Sequence, residues 1–251
     1  MISWLLPQAS TFASTIDGLV LLIAVIVGVW LILAEVVLFG FIWKYRARDG
    51  IRGQYVSGED RSQKKWVSYP HYAVVVFDII IIVAALRVWN EVKVAAPPGE
   101  EQIRIIAQQW SWTFVHAGPD GKLDTPDDIR TVDDMYVQRD RVYTFELHAR
   151  DVVHSFSVPA FRLKQDAIPG RVIHGWFRPT REGTFDVQCV EMCGVGHGLM
   201  AGRIHIGSAA QYAAWMTEFR TTAATANRIT GSTPVADVAA HDHVGTAGGT
   251  R

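Results

Sequence analysis

Two long apolar runs near the start of the chain dominate its hydrophobic pattern. The first, residues 18–43, has 26 residues with a single charge. As a helix it would be about 39 Å long, more than the roughly 30 Å of a bilayer core. The second, Tyr72–Leu86, has 15 residues and reaches spanning length when it extends to Trp66 and Trp89, because tryptophan is enriched at membrane interfaces. The pattern predicts a two-helix transmembrane hairpin with helices at 18–43 and 66–92.

The loop between the two predicted helices, residues 44–65, is strongly basic. It contains seven basic residues, Lys44, Arg46, Arg48, Arg52, Arg61, Lys64 and Lys65, and only three acidic residues, Asp49, Glu59 and Asp60. The positive-inside rule therefore places this loop in the cytoplasm, and segment 1–17 and the chain after residue 92 on the outer face. A cleaved signal peptide is the alternative for the first run, but that run is too long, no Lys or Arg precedes it, and no small-residue cleavage site follows.

After Glu91 the pattern changes to short β-rich apolar runs, and Pro97-Pro98-Gly99 signals a linker. Six strands are predicted: Gln102–Ala107, Trp110–His116, Arg141–His148, Arg171–Phe177, Gly183–Gln188 and Gly202–Ile206. Turn-forming segments separate them, so we expect residues 93–207 to form an all-β Greek-key sandwich or barrel of antiparallel strands.

The last segment, residues 208–251, predicts a short amphipathic helix over Ala209–Phe219. An Ala/Thr/Gly-rich tail follows, which we expect to be disordered. His241 and His243 lie in this tail, and two histidines on such a segment are expected to be inert.

Composition excludes several classes of protein. The 24 basic residues nearly balance the 25 acids, so no global basic field exists to bind nucleic acid. Two cysteines are too few for a disulfide-rich scaffold or a four-cysteine zinc site. No C-x-x-C-H sequence is present, so we expect no covalent c-type haem in this chain and an electron donor that is a separate protein or another subunit.

The segment from Cys189 to Met200 gathers two thiols, an imidazole, a thioether and a carboxylate within twelve residues. Cys193, His197 and Met200 have the spacing of three ligands of an electron-transfer copper site, and His154, near a strand end, is the candidate fourth. Because a second thiolate, Cys189, is present, the economical interpretation is two copper ions bridged by both sulfurs. A Cys189–Cys193 disulfide and a tetrahedral zinc site are the alternatives.

From about residue 7 to residue 206 the chain resembles subunit II of haem-copper cytochrome c oxidases. The matching motifs are C-x-E-x-C-G-x-x-H-x-x-M at residues 189–200, D-V-x-H at 151–154, LKQDAIPGR at 163–171 and QQWSW at 108–112. The resemblance implies a cupredoxin-like domain that carries a binuclear copper A centre. It also implies a bacterial inner-membrane protein that accepts electrons from cytochrome c and passes them to haem in subunit I, where oxygen is reduced and protons are translocated.

The resemblance further implies a role for each residue of the motif. Cys189 and Cys193 would bridge the coppers, His154 and His197 would cap them, and Met200 would be a weak axial ligand. Glu191 would supply its carbonyl to the second copper and its side chain to a magnesium or manganese ion shared with subunit I. Electrons would enter at Trp110, although a tryptophan on a strand more often only packs. The next residue, usually aromatic in the family, is Ser111 here, so the aromatic patch is expected to be thinner.

Other acidic residues stand outside this motif. Residues 120–140 hold seven acids against three bases, a local net charge of about −4. This loop, with Asp127 and Asp128, can be a solvated turn, can steer a basic donor, or can hold calcium through oxygen ligands. Glu35 and Asp78 lie inside the apolar runs, where an unpaired charge is costly. They are expected to pack against subunit I or, alternatively, to take part in proton uptake, and as cytoplasmic-side residues of one hairpin they can be neighbours.

Several other functions share parts of this pattern. A quinol oxidase subunit II would lack the copper ligands, and a nitrous oxide reductase needs a large additional domain and no hairpin. A copper A nitric oxide reductase would look the same from this chain. A membrane-tethered copper chaperone would hold exposed, exchangeable copper.

Overall fold

Two long helices and an all-β sandwich make up the structure, a computed structural model that describes residues 6–53, 55 and 57–230. The tail after Phe219 was expected to be disordered, but residues 220–230 are helical. The rest of that tail, with His241 and His243, lies outside the described residues. Helix α1 spans Ala13–Lys44, and α2 spans Arg61–Trp89 and continues as a short π-helical segment, Asn90–Val94. Both helices are long and apolar enough to cross a membrane. One compact unit comprises Ser14–Ala95, and the remaining described residues form the other.

Helix α2 begins earlier than the hydrophobic pattern predicts because a capping residue precedes it. The Asp60 carboxylate accepts hydrogen bonds from the backbone N–H of Ser62 at 3.2 Å and from its hydroxyl at 2.7 Å, which satisfies a backbone donor of the first turn. Between the helices, the rings of Trp30 and Phe77 meet edge to face at 5.8 Å. This ring contact joins the two helices of the hairpin.

Ten strands form two five-stranded sheets. They are β1 Glu101–Gln108, β2 Ser111–His116, β3 Ile129–Val132, β4 Asp134–Gln138, β5 Tyr143–Ala149, β6 His154–Val158, β7 Leu163–Ala167, β8 Ile173–Phe177, β9 Gly183–Cys189 and β10 Ala201–Gly207. The strand orders are β3-β2-β1-β5-β8 and β4-β10-β9-β6-β7. The expected fold class, two apolar helices followed by an all-β sandwich, is therefore confirmed.

Two strand pairs differ from the antiparallel expectation. Strands β1 and β5 are parallel, as are β4 and β10, with Ile105 opposite Leu147 and Ile204 opposite Met135. Both pairs join strands that are distant in sequence, so no tight hairpin turn connects them and the chain can bring them together in the same direction.

Aromatic rings fill the space between the sheets around Phe156. Trp112, Phe114 and Phe145 lie 5.5, 6.3 and 6.1 Å from this ring, centroid to centroid. His154 lies two residues earlier on β6, and all five residues of that strand are buried. The core therefore fixes the strand that carries the candidate ligand His154.

Two terminal segments pack on the sandwich. Before α1, the backbone N–H of Ala9 donates to the Ala160 carbonyl and the Ala9 carbonyl accepts from Thr180, both at 2.9 Å. The Phe12 ring meets Trp176 edge to face at 5.3 Å. Helix α3, Ala209–Thr230, is longer than expected.

Candidate metal centre

The candidate ligands come from two neighbouring strands of the second sheet and the loop that follows one of them. His154 begins β6, Cys189 ends β9, and these neighbouring strands pair with Phe156 opposite Cys189. The loop between β9 and β10, residues 190–200, carries the other candidates. Its ends are closed by a hydrogen bond from the backbone N–H of Cys189 to the Met200 carbonyl at 3.1 Å.

Five candidate side chains point their ligand atoms into one small volume. The Cys189 and Cys193 sulfurs are 3.7 Å apart, and Nδ1 of His197 lies 3.6 Å from the Cys193 sulfur. Nδ1 of His154 lies 3.1 Å from the Met200 sulfur and 3.9 Å from the Cys189 sulfur. Within the described residues, His154, Cys189 and Cys193 form the one group of three or more His, Cys or acidic side chains close enough to hold a metal ion.

The cluster is shielded from water. Exposure of His154, Cys189, Cys193 and Met200 is 0, 8, 2 and 2%. Burial, together with the neighbouring Cys189 thiol, raises the pKa of the Cys193 thiol to about 11. The metal-free thiol is therefore protonated at neutral pH, and a metal must displace the proton when it binds.

Asp151 orients the His154 ring. Its Oδ1 accepts a hydrogen bond from Nε2 of His154 at 2.8 Å, and its Oδ2 accepts one from the backbone N–H of Gln109 at 2.7 Å. Burial opposes ionisation, but hydrogen bonds from Gln109, His154 and Val152 hold the pKa of this carboxyl below its usual value. With the proton on Nε2, the lone pair of Nδ1 faces the sulfur cluster, as in carboxylate–histidine–metal arrangements.

The turn between β1 and β2 attaches to the ligand loop through the Cys193 carbonyl. This oxygen accepts hydrogen bonds from Nε2 of Gln109 at 2.8 Å and from the indole N–H of Trp110 at 3.2 Å. The Trp110 ring lies against Gly196, where an added Cβ would come within 2.4 Å of the ring. Trp110 is 42% exposed, so its ring joins the protein surface to the backbone of a candidate ligand.

Three exposed apolar side chains lie on the ligand loop that Trp110 contacts at Gly196. Val195 is fully exposed, and Met192 and Leu199 are also largely exposed. Exposed apolar groups gathered on one loop are typical of a contact surface for another protein.

Glu191 presents two different groups. Its backbone carbonyl lies 3.3 Å from the Cys189 sulfur, inside the cluster. Its side chain is exposed, so the carboxylate is free to meet a group on a partner.

The donor set suits copper better than the alternatives. The cysteines are free thiols, and a sulfur separation of 3.7 Å is well beyond the roughly 2.05 Å of a disulfide. A zinc ion with two Cys and two His ligands would leave the thioether of Met200 unused although it touches the His154 ring. Two thiols, two imidazole Nδ1 atoms, a thioether and a carbonyl fit the soft-ligand preference of copper.

The Asp/Gly-rich part of the acidic segment, residues 118–128, lies at the end of β2 away from Trp110. Six strand residues separate the two ends, roughly 17 Å at the usual rise. Asp127 accepts hydrogen bonds from the Thr125 hydroxyl and the Asp120 backbone, and Asp128 accepts one from the Asp124 backbone. The loop's carboxylates thus stabilise its own turns.

Glu35 and Asp78 are exposed on the surface of the hairpin. Among the hydrogen bonds and ion pairs of the described residues, neither carboxylate has a partner, and the two do not contact each other. Each is therefore free to meet a group outside this chain.

Two supporting features escaped the sequence analysis. The D-V-x-H motif contained Asp151, and a carboxylate three residues before a metal-ligating histidine is a signal for the orienting hydrogen bond. The roles of Gln109 and Gly196 depend on a contact between distant segments, which no local pattern records.

The chain is similar to known proteins of one family. Residues 129–206 match the family model for the periplasmic domain of cytochrome c oxidase subunit II. An alternative cytochrome c oxidase subunit 2 from Bradyrhizobium diazoefficiens is 31% identical over 210 residues, which cover 74% of each chain. A cytochrome c oxidase subunit 2 from Cereibacter sphaeroides is 26% identical over 249 residues, 85% of this chain and 79% of the relative.

One similar solved structure is the periplasmic domain of subunit II of cytochrome oxidase from Bradyrhizobium japonicum. It is 27% identical, covers 51% of this chain and 98% of that one, and has a TM-score of 0.46. The length and identity of the match to the Bradyrhizobium diazoefficiens relative, together with the family-model match, show that this chain belongs to the cytochrome c oxidase subunit II family.

Proposed function

We propose that this chain is the subunit of a respiratory oxidase that accepts electrons from a c-type cytochrome at a binuclear copper A centre. The convergence of two buried thiols, two imidazole Nδ1 atoms and a thioether carries this proposal. Cys189 and Cys193 would bridge the ions and His154 and His197 would cap them. Met200 and the Glu191 carbonyl would be the weak ligands.

The surrounding residues fix the positions of the atoms that would bind copper. Copper would supply a site that takes up and releases one electron at a time. Asp151 keeps the His154 proton on Nε2, and the aromatic core around Phe156 fixes the strand. Because four of the five ligand side chains are buried and His197 is partly buried, neither water nor large side-chain movements are expected to accompany the change of charge. A copper store would expose its ligands, so their burial argues against a chaperone role.

Electrons would enter at Trp110. Its exposed ring and the apolar side chains of Val195 and Leu199 form a contact surface for the donor, and its indole N–H reaches the Cys193 carbonyl. One hydrogen bond and the bonds of a single residue then connect the ring with a bridging sulfur.

Features of both units support the proposed membrane arrangement. Residues 6–12 pack on the sandwich, so the N-terminus belongs on the same periplasmic side as that domain, and α1 and α2 would cross a bacterial inner membrane with residues 44–60 in the cytoplasm. Oxidase subunit I would receive the electron, bind the haem and reduce oxygen.

Three carboxylates would face subunit I. The Glu191 side chain would contact a magnesium or manganese ion held between the subunits. Glu35 and Asp78 would pack against subunit I or feed protons into it. Unchanged proton uptake and turnover in both Asp78→Asn and Glu35→Gln oxidases would contradict the proton role.

Rapid mixing of the assembled oxidase with a reduced c-type cytochrome tests the function. Copper is expected to be reduced before haem, and oxygen to be consumed afterwards. Haem reduction without a prior copper signal would contradict the proposal. Consumption of nitric oxide in place of oxygen would identify the alternative, a nitric oxide reductase.

Enlarging Gly196 is expected to displace the Trp110 ring, because an alanine Cβ would lie 2.4 Å from it. In a Gly196→Ala oxidase we expect slower reduction by the cytochrome with copper content unchanged. Gly198→Ala is the matched control, since nothing lies within 4 Å of its Cβ position. Equal rates in the two variants would show that electron entry does not depend on the contact between the Trp110 ring and Gly196.

Neutralising Asp127 and Asp128 together tests whether the acidic loop steers the donor. At low ionic strength the association rate of the donor is expected to fall about twofold for each positive charge on the donor's docking surface. The dependence of this rate on salt concentration should also become weaker. Removing a base of the same loop in Lys122→Gln should raise the rate. At physiological salt the effect should vanish, because screening acts over about 8 Å. An unchanged rate at low ionic strength would rule out steering.

A further inference from the structure

A cavity of about 690 Å³ lies between the two helices of the hairpin. Helix α1 contributes Trp30, Ala34 and Val37, and α2 contributes Lys65, Tyr69 and Ala73. From Ser62 to Ala73 the cavity follows α2 for about 17 Å. We name it the hairpin cavity. It is a slot parallel to the helices, apolar along its length, with its one charged residue near the loop.

The charge at this end of the slot is positive. Lys65 lines the mouth, and no acidic side chain forms an ion pair with it among the described residues. Arg61 and Lys64 add basic charge on the same turns of α2. The carboxylate of Asp60, which caps the start of α2, accepts its hydrogen bonds from Ser62.

The lining of the slot indicates what can fill it. Apart from Ser62 and Lys65, every lining side chain is apolar or aromatic, which matches a hydrocarbon chain with a polar group at the loop end. Trp66 and Tyr69 also line the slot near Lys65, and such residues belong at the level of lipid headgroups.

We propose that the hairpin cavity binds an anionic phospholipid, with one acyl chain in the slot and the headgroup phosphate at Lys65. Basic pockets between membrane helices on the cytoplasmic side bind anionic headgroups in this way. The proposal depends on the membrane-spanning hairpin described above and is independent of the copper centre.

Native mass spectrometry of the assembled oxidase, extracted from bilayers of defined composition, tests this site. The probes are phosphatidylglycerol and phosphatidylcholine with identical acyl chains. One phosphatidylglycerol per copy of this chain is expected to remain bound, and phosphatidylcholine much less. Lys65→Gln should weaken retention of phosphatidylglycerol about fivefold, the effect of one basic residue near a membrane surface. Lys64→Gln, a neighbouring change outside the cavity lining, should weaken it less.

Ala73→Phe fills the slot without changing its charge and should abolish retention of the lipid. Copper content and turnover with cytochrome show that each variant oxidase has assembled. Equal retention of the two lipids would overturn the proposal, as would equal losses in the Lys65 and Lys64 variants. A photo-crosslink from position 73 to another oxidase subunit in place of lipid would also overturn it, because it would show protein in the slot.

Discussion

Replacing Cys193 with serine is expected to abolish cytochrome-driven turnover of the oxidase. The Cys193 sulfur lies within 4 Å of the Cys189, His197 and Met200 ligand atoms, and a hydroxyl cannot replace a bridging thiolate for copper. Copper content should fall and turnover should drop by more than 100-fold, since even residues that only support metal ligands change activity by about 10–100-fold. Metal analysis and oxygen consumption measure both effects.

The fold should survive this substitution, because serine has nearly the same shape and the Cys193 carbonyl keeps its bonds to Gln109 and Trp110. Met192→Leu is the control within the same loop. Met192 is 74% exposed, so both copper content and turnover should remain at the wild-type level. A Cys193→Ser oxidase with two coppers and full turnover would refute the assigned bridge.

Replacing Trp110 with leucine is expected to slow electron transfer from the cytochrome while leaving the copper centre intact. A tryptophan at the centre of a contact surface commonly contributes about 2 kcal/mol or more, which corresponds to at least a 30-fold lower rate of productive encounter. The loss of the indole N–H also removes the link to the Cys193 carbonyl. Stopped-flow reduction by the cytochrome measures the rate.

Two comparisons separate this effect from damage to the metal site. Reduction by a small-molecule reductant, which needs no docking surface, should proceed at the wild-type rate in Trp110→Leu. Trp110→Phe keeps an aromatic ring at the surface and should recover much of the cytochrome rate. If the leucine variant accepts electrons from the cytochrome as fast as wild type does, electrons enter elsewhere.

The elements with a clear period or length were predictable from sequence. Both helices and six strands follow from apolar runs and alternation. Strand β6 was missed because it has only five residues and two apolar side chains, Phe156 and Val158. Strand β3 was missed because it has only four residues, and two of them are exposed to solvent. The parallel pairing of β1 with β5 depends on long-range topology that local patterns do not encode.

The candidate ligands were predictable because five of the six lie within the twelve residues 189–200, and residue chemistry limits what such a segment can bind. Their convergence with His154 depends on the pairing of β6 with β9. Asp151, Gln109 and Gly196 support the site through contacts across the fold. Their hydrogen-bond and packing partners include residues distant in sequence, so these contacts are identified only in the folded chain.

Electron paramagnetic resonance with a copper count, on the full-length chain after copper loading and oxidation, tests the central claim most directly. We predict two coppers per chain and a seven-line hyperfine pattern, because one unpaired electron shared equally by two copper nuclei couples to both. One copper with a four-line pattern, or zinc in its place, would contradict the account. Cys189 and Cys193 would then not bridge a copper pair.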